Sequence, residues 1–389
     1  MRLRNRYIRD FPVLHLSRVS GVSQFWGSPV TTIVFNGKFR SQSATGVQRV
    51  AEELLTALGE LKLREPDALA GLDLLLAVPK SARMSPLPGF QMTAPGRLGG
   101  VAWEQLELPF VAGDRRLVNL CNVGPLSRTG DVLMLHDAQA FDTPQSYSKA
   151  FVQYYRTLTP LLAARASRVL TVSDFARERL SHAGVAPRDA MSVVLNGVDH
   201  ILRLPVDETV LDEFGLRGRR YIVGPGSVQA HKNVQVLIKA ARAFTDPDLR
   251  LVLYGPSGRA DFEAMGITPG DNVIFAGRVS DGAMRALIEG ATAFAFPSLT
   301  EGFGLPPLEA MLLKTPAIVA RAGPMPELCG EAALCVDPLD DAAWAQAIQH
   351  LASDSAARDR YAQLGHERAQ RYRWSEAAKT LAGVLRGLH

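Results

Sequence analysis

Two glutamates, Glu301 and Glu309, lie eight positions apart in the segment SLTEGFGLPPLEAM (298–311). Two glycines between them let backbone amides approach a ligand closely, and the proline pair suits the first turn of a helix. A helix start offers N–H groups and a partial positive charge, so this loop could hold an anion such as a diphosphate. Carboxylates beside an anion make sense if they accept hydrogen bonds from hydroxyl pairs of the same ligand. A nucleotide sugar has that composition, and the alternative is two solvated glutamates at a helix start.

The segments before and after this loop alternate between strand-like and helix-like sequence, as in a parallel α/β sheet. The apolar run AFAFPS ends at Ser298, so the loop follows the carboxyl end of a strand. Similar runs in the second half are YIVGPGS (221–227), LRLVLYG (249–255), NVIFAG (272–277) and PAIVA (316–320). In the first half they are TTIVFN (31–36), LDLLLAV (72–78), DVLMLH (131–136), RVLTVS (168–173) and MSVVLN (191–196). Helix-length segments separate most of them, which predicts two doubly wound sheets with a ligand cleft at their carboxyl ends.

A chain of 389 residues suits two domains better than one. The polar, proline-containing stretch 201–218 predicts a linker between a first domain (29–200) and a second domain (219–372). Residues 1–28 are expected to form an N-terminal extension. Residues 373–389 are expected to form a helix that packs back toward the first domain.

Composition limits the class of protein. The chain is 47% hydrophobic and 21% charged, as ordinary globular proteins are, and its three cysteines lack the spacing of a disulfide framework or a zinc site. It has no apolar run long enough for a membrane helix and no apolar core of a secretory signal near the start. We therefore expect a cytoplasmic protein.

Charge is unevenly distributed along the chain. Residues 1–200 hold 23 basic and 17 acidic side chains, or +6, and residues 201–389 hold 20 and 22, or −2. This pattern indicates an anionic surface or substrate for the first half, and scattered solvated charge explains it equally well. The cluster Arg2, Arg4, Arg6 and Arg9 could make weak peripheral contact with anionic lipid at the inner membrane face, or belong to a frayed terminus. No nucleic-acid partner is expected.

The segment PSLTEGFGLPPLEAM resembles the E-x7-E signature of the retaining glycosyltransferases of family 4 (GT4), which have the GT-B fold. The similarity extends in order from about residue 31 to 375. It includes LMLHDAQAF, YYRTLTPLLAARASRVLTVSDFARERL, VLNGVD, GSVQAHKN, FAGRVSDGAMRALIEGATAFAFPS and PMPELCGEAALCVDP. The resemblance implies two Rossmann-like domains facing each other across a cleft.

The resemblance assigns roles in the second domain. Glu309 corresponds to the glutamate that holds the ribose hydroxyls, Glu301 to the one beside the transferred sugar, and Lys232 to the phosphate-binding lysine. Backbone contacts to sugar and phosphate are implied for Gly302, Phe303, Gly304 and Leu305. Contacts to the nucleotide are implied for Gly226, Ser227, Arg278 and Val279, the last two near the base.

In the first domain, His136 matches the active-site histidine beside the sugar and leaving group, and Gly46 matches a glycine loop facing the cleft. From the residues alone, His136 directly follows a buried strand and could equally be a core histidine. Trp103 and Glu104 could line the acceptor cleft or belong to the core.

The resemblance implies no cofactor and no metal, because most GT4 enzymes are metal-independent and the chain has no D-x-D motif. Lys232 and helix dipoles would then neutralise the diphosphate. The chain departs from the family pattern at Ser227, where many relatives carry an arginine. This departure weakens the expectation that two cationic side chains contact the diphosphate.

The HKN segment (231–233) and the EGFGLPPLEAM and LMLHDAQAF segments look most like bacterial mannosyltransferases that build surface polysaccharide from GDP-mannose. We expect a glycan or lipid-linked oligosaccharide acceptor. A UDP- or dTDP-sugar donor is the first alternative, and a catalytically silent partner subunit is the second. A nicotinamide-dependent oxidoreductase would need the G-x-G-x-x-G fingerprint, which the GPG at 224–226 does not complete.

Overall fold

The computed structural model describes residues 30–43 and 45–388. The predicted extension 1–28 and its arginine cluster lie outside the described residues. Among the helices that are described, none combines the length and the apolar character that a membrane crossing requires.

Two parallel sheets organise the chain. The first has seven strands in the order β3-β2-β1-β4-β5-β6-β7, and the second has six in the order β10-β9-β8-β11-β12-β13. The strands of the first sheet are β1 Thr31–Asn36, β2 Leu72–Ala77, β3 Gln91–Thr93, β4 Leu117–Asn119, β5 Val132–Leu135, β6 Arg168–Thr171 and β7 Met191–Val193. Those of the second are β8 Tyr221–Pro225, β9 Arg250–Tyr254, β10 Val273–Gly277, β11 Ala293–Phe296, β12 Ala317–Ala320 and β13 Leu334–Val336.

Helices connect the strands, as parallel pairing requires. In the first half they are α1 Gly46–Arg64, α2 Gly100–Ala102, α3 Leu108–Ala112, α4 Gln139–Asp142, α5 Lys149–Arg165 and α6 Asp174–His182. In the second half they are α7 Thr209–Glu213, α8 Gln235–Ala241, α9 Arg259–Ala264, α10 Asp281–Glu289, α11 Leu305–Leu312, α12 Met325–Cys329, α13 Asp341–Ser353, α14 Ser355–Ala369 and α15 Trp374–Arg386.

The strands are buried on both faces. Every residue of β5, β11 and β12 is buried, because helices cover both sides of each sheet. This explains why the strands appear in the sequence as continuous apolar runs. The three-residue strands β3, β4 and β13 were not predicted, since so short a pairing leaves no periodic signal.

Both sheets reverse their strand order, and each reversal creates a crevice at the carboxyl ends of the strands. In the first sheet the reversal lies between β1 and β4, and in the second between β8 and β11. The loops after these four strands therefore approach each other. They carry Lys38, Cys121, Lys232 and Glu301.

The C-terminal helix α15 packs against α1 of the first half. Trp374, its first residue, is buried, and its backbone amide donates to Asp199 Oδ1 at 2.9 Å. One continuous cluster of buried apolar side chains includes Phe35 of the first sheet, Leu381 of α15 and Phe296 of the second sheet. The two halves thus share part of their core. The predicted domain limits themselves stay a prediction.

Candidate active site between the two sheets

A cleft of about 540 Å³ lies where the carboxyl ends of the two sheets face each other. The first half contributes most of its lining, including Lys38, Gly46 and Asp137. The second half contributes Gln229, His231, Lys232 and Glu301. Of the predicted site residues, Gly46, Lys232 and Glu301 therefore line the cleft.

The loop after β11 is docked onto the first domain through its backbone. A Cβ atom built on Gly302 would lie 1.9 Å from the carbonyl oxygen of His136, so only glycine fits there. The carbonyl of Gly302 accepts a hydrogen bond from Ser173 Oγ at 2.6 Å, and that of Thr300 accepts one from Gln139 Nε2 at 3.2 Å. These contacts hold Glu301 at the mouth of the first sheet.

The same loop offers unpaired amide groups. The N–H groups of Gly302, Phe303 and Gly304 donate to no acceptor within the described part of the chain. Gly304 has a left-handed φ of 93° and is the N-cap of α11, whose first turn contains the proline pair. Because prolines have no N–H, the free donors of this helix start are concentrated in the loop before it. Such a run of donors is suited to an anionic oxygen.

Lys232 and Glu301 form an ion pair, with 2.7 Å between Lys232 Nζ and Glu301 Oε1. Lys232 ends a 3-10 turn, Ala230–Lys232, that follows β8. The next residue, Asn233, has a left-handed φ of 51° and is fixed by a 2.7 Å hydrogen bond from its Nδ2 to the carbonyl of Pro338. The cation predicted to meet a diphosphate and the carboxylate predicted to meet sugar hydroxyls thus lie side by side.

Glu309 is not part of the cleft lining. It is buried on α11, and its Oε1 lies 3.0 Å from His200 Nε2, at an angle that does not make a hydrogen bond. Trp374 Nε1 donates to His200 Nδ1 at 3.1 Å, which leaves the proton of a neutral His200 on Nε2, facing Glu309. The assignment of Glu309 to ribose hydroxyls stays a prediction.

The ring of His136 is held in the first domain. Its Nε2 lies 2.7 Å from the carbonyl oxygen of Leu120, and the side chain is buried. Burial lowers the pKa of His136 to about 4, and the Leu120 carbonyl opposes that shift. His136 is therefore neutral near pH 7 and donates Nε2–H to Leu120. In this structure its carbonyl oxygen, rather than its ring, meets the Glu301 loop, and its catalytic role stays a prediction.

Asp137 directly follows His136 in the segment LMLHDAQAF and was not among the predicted site residues. It lines the cleft. Burial raises the pKa of Asp137 to about 6, while the hydrogen bond from the amide of Gln139 opposes this and the charge of Glu301 adds to it. Perturbed carboxyl groups in clefts are typical of functional sites.

The floor of the cleft rests on a buried polar network. Lys38 pairs with Glu104, whose Oε1 accepts a 2.7 Å hydrogen bond from Asn36 Nδ2. Glu104 lies in a π-helical turn, Trp103–Glu107, a geometry that often occurs at functional sites. Trp103 is fully buried in a core cluster and donates to the carbonyl of Pro95. Of the two open interpretations, Trp103 fits the core and Glu104 supports the cleft from behind.

The remaining predicted nucleotide contacts lie outside the cleft lining. Gly226 donates its amide to Tyr254 at 2.7 Å, and Ser227 Oγ accepts from the amide of Gln229 at 3.3 Å. Arg278 is exposed and Val279 is partly buried, directly after β10. The side chains of Phe303 and Leu305 are buried in the core, which leaves their backbone for any ligand.

One thiol lines the cleft, and its protonation state follows from its burial. Within the residues described, no group of three His, Cys, Asp or Glu side chains is arranged to hold a metal ion. Cys121 lines the cleft, but burial raises the pKa of its thiol to about 12, so it stays protonated near pH 7. The Lys232–Glu301 pair and the loop amides that follow it are suited to hold an anionic leaving group and a polyhydroxylated ring. Two Rossmann-like parallel sheets that face each other across a cleft have the architecture of the GT-B fold.

Comparison with known proteins supports this class. The family model described as glycosyl transferases group 1 matches residues 210–368, in the second half of the chain. An O-antigen chain mannosyltransferase of Salmonella typhimurium is 27% identical over 256 residues, which are 64% of this chain and 68% of the relative. O-antigen chain mannosyltransferase B of Escherichia coli is 30% identical over 58% of this chain and 62% of the relative. A D-inositol 3-phosphate glycosyltransferase of Corynebacterium glutamicum is 30% identical over 62% of this chain and 61% of its own length.

Solved structures confirm the predicted fold. Sucrose-phosphate synthase from Thermosynechococcus elongatus superposes with a TM-score of 0.70 over 92% of this chain and 99% of its own, at 18% identity. An Anabaena protein solved in complex with UDP-glucose superposes with a TM-score of 0.67 over 92% of this chain and 99% of its own, also at 18% identity. At such identity the likeness concerns the fold.

Proposed function

We propose that this glycosyltransferase transfers mannose, with retention of configuration, from GDP-mannose to a glycan or lipid-linked oligosaccharide acceptor in the synthesis of a cell-surface polysaccharide. The observation that carries the proposal is the Lys232–Glu301 pair at 2.7 Å beside the unpaired amides of Gly302, Phe303 and Gly304. Mannose is favoured by the two O-antigen mannosyltransferases among the relatives.

In the proposed reaction, the bond between the anomeric carbon and the phosphate oxygen breaks as the acceptor oxygen bonds to the same face of that carbon. The acceptor hydroxyl gives its proton to the departing phosphate oxygen, so no protein base is needed. Lys232 and the loop amides stabilise the charge that grows on the diphosphate. Glu301 orients the sugar through its hydroxyls, which holds the anomeric carbon within reach of the acceptor oxygen on the face that the phosphate leaves.

Glu301 and Lys232 neutralise each other's charge when no donor is bound. Their ion pair keeps both charges compensated in a partly buried site, with 25% of the Lys232 side chain and 13% of the Glu301 side chain exposed. On donor binding, Lys232 can turn to the diphosphate while sugar hydroxyls replace it as donors to Glu301. The exchange leaves neither charge unpaired, which avoids the desolvation cost of a bare buried ion.

The acceptor is expected at the first-domain side of the cleft. We place the enzyme in the cytoplasm, where nucleotide sugars are made, with weak peripheral contact with the anionic inner face of the membrane if the acceptor is lipid-linked.

A panel of donors tests the proposal. The purified full chain is incubated separately with GDP-mannose, UDP-glucose, UDP-galactose and dTDP-rhamnose, with a lipid extract as acceptor source, and nucleotide release is followed. Release from GDP-mannose alone supports the proposed donor. Release from a UDP- or dTDP-sugar instead would overturn the donor and leave the site in place, whereas no release from any donor would favour a silent partner subunit.

A further inference from the structure

A second cavity, of about 320 Å³, lies at the junction of the two halves, and its lining shares no residue with the cleft. We call it the hinge cavity. The end of β7, the residues after it and the start of α6 line one side, and α12, the turn before α15 and the first turns of α15 line the other. The two crossovers of the chain meet here, because the amide of Val198 donates to the carbonyl of Tyr372 at 3.0 Å. A ligand in this cavity would contact both halves.

Asn196 brings an unsatisfied polar group to the hinge cavity. It lines the cavity and is only 3% exposed, and its side-chain amide makes no hydrogen bond within the described part of the chain. Buried amide groups normally have partners, because a buried donor or acceptor without one loses its hydration and gains nothing in return. A ligand in the cavity would supply the partner that the protein itself does not.

Two arginines on the opposite side of the cavity carry uncompensated positive charge. Arg371 and Arg373 both line the cavity, and neither forms an ion pair with an acidic side chain of the described residues. Nε of Arg373 donates to the carbonyl of Gln370 at 3.1 Å, which orients this guanidinium without neutralising it. Two planar guanidinium groups without an acidic partner are suited to an anion with several oxygens.

The carboxylates of the cavity lining are already engaged by other groups. Glu327 accepts hydrogen bonds from the backbone amides of Asp174, at 3.1 Å, and of the next residue, at 2.9 Å. Asp174 itself pairs with Arg177, and Glu376 pairs with Lys379 at 3.0 Å. The charge left for a ligand is therefore the positive charge of the two arginines.

These features together define the chemistry of a ligand. A phosphate monoester carries about two negative charges at pH 7 and three acceptor oxygens, which match two guanidinium groups. Val193 and Leu195 offer apolar surface for a short carbon skeleton, and the Asn196 amide can both donate to and accept from a hydroxyl group. The volume suits a molecule no larger than a sugar phosphate.

We propose that the hinge cavity is a binding site for the phosphate monoester of a small sugar or polyol, separate from the cleft between the sheets. Arg371 and Arg373 bind the phosphate group, and Asn196 binds a hydroxyl group. Because the arginines belong to the crossover into α15 and Asn196 follows β7, the bound ligand would link the two crossovers of the chain.

Calorimetric titration of the full chain, in a buffer free of phosphate and sulfate, tests this site. The probes are mannose 6-phosphate and glycerol 3-phosphate, with mannose and glycerol as their uncharged counterparts. At least one phosphate should bind and neither uncharged compound should. Arg371→Gln should raise the dissociation constant at least tenfold. The matched control is Arg219→Gln, since Arg219 is also exposed and lines neither the cleft nor the hinge cavity.

Two further variants locate the bound phosphate. Asn196→Ala should weaken binding at least threefold without lowering Tm, because the amide that it removes has no partner within the described chain. Lys232→Ala should bind the phosphates as the wild-type protein does. No binding by the wild-type protein, equal binding by Arg371→Gln, unchanged affinity in Asn196→Ala, or binding lost in Lys232→Ala would each overturn the proposal, the last by placing the ligand in the cleft.

Discussion

At the residue scale, the site depends on a few charged groups held by backbone geometry. The E-x7-E spacing predicted an anion loop flanked by carboxylates. In the structure Glu301 lies beside Lys232, and the three amides that follow Glu301 find no acceptor among the described residues. Neither Asp137 nor the network behind Lys38 was predicted. Asp137 is distinguished by its raised pKa, and Lys38 by its ion pair with Glu104, 66 positions away in the sequence. Both features arise only from tertiary packing.

We propose that Lys232 faces the charge that grows most during the reaction. Lys232→Ala should therefore lower kcat by an amount equivalent to roughly 2 to 4 kcal/mol, the usual effect of removing such an electrostatic group. Steady-state nucleotide release measures this. Lys239→Ala is the control, since Lys239 is an exposed residue of α8 outside the cleft lining. Turnover of Lys232→Ala near that of the wild-type enzyme would show that another group neutralises the diphosphate.

Glu309 is predicted to act on binding rather than on chemistry. Glu309→Gln keeps the size of the side chain beside His200 and removes its charge. We expect the donor KM to rise with little change in kcat, because the ribose lies far from the reacting carbon. Calorimetric titration with donor checks the affinity, and an unchanged dissociation constant would refute the ribose assignment.

His136 should make stability depend on pH. Its folded-state pKa of about 4 lies below its ordinary value of 6.5, so the unfolded chain binds more protons between these values. The stabilisation is complete above pH 6.5 and is lost as the pH falls to 4, by on the order of 3 kcal/mol. His231 shifts in the same direction and Asp137 in the opposite one, so the His136→Gln variant is needed to isolate the effect.

Urea unfolding at several pH values between 4 and 7 provides the measurement for this variant. Glutamine can still donate to the Leu120 carbonyl but does not titrate, so its stability should change less over this range than that of the wild-type protein. Parallel curves for the two proteins would show that His136 does not titrate as its buried position requires.

At the element scale, the strands and the loops after them were largely predictable. Long apolar runs such as those of β1, β8 and β11 are buried on both faces, which gives a strong local signal. The short β3, β4 and β13 have no such signal and are formed by their neighbours in the sheet. The docking of the Glu301 loop on His136 could not be predicted either, because it depends on how the two sheets face each other.

Gly302 tests this docking. In Gly302→Ala the new Cβ would have to push the loop away from the His136 carbonyl, since a backbone atom cannot rotate aside. We expect kcat/KM to fall at least tenfold, because a small misplacement of positioning groups is costly. Steady-state kinetics with the donor identified by the panel measure this.

Gly383→Ala is the matched control for this experiment. Gly383 lies inside α15 with open space around its Cβ position, so alanine should leave kcat/KM unchanged and raise Tm slightly through its better helix propensity. If Gly302→Ala behaved like this control, the close approach of the loop and the first domain would not matter for activity.

At the scale of the whole molecule, the GT-B architecture was predictable. Two series of alternating strands and helices, separated by a polar stretch, are compatible with few other folds. The contacts that join the two halves were harder to predict. The return of α15 onto α1 and the hydrogen bond from Trp374 to His200 tie the end of the chain to the region between the two sheets. His200 Nε2 in turn lies 3.0 Å from Glu309 Oε1, which brings α11 next to this junction.

We propose that this cleft transfers sugar from a nucleotide donor without a metal, with Glu301 positioning the sugar. The most direct test compares nucleotide release from GDP-mannose by the wild-type chain and by Glu301→Gln, both in the presence of EDTA. The wild-type enzyme should release GDP, and Glu301→Gln should do so at least tenfold more slowly, because its neutral amide holds sugar hydroxyls less strongly than a carboxylate does. Equal rates in the two proteins, or release that EDTA abolishes, would contradict the account.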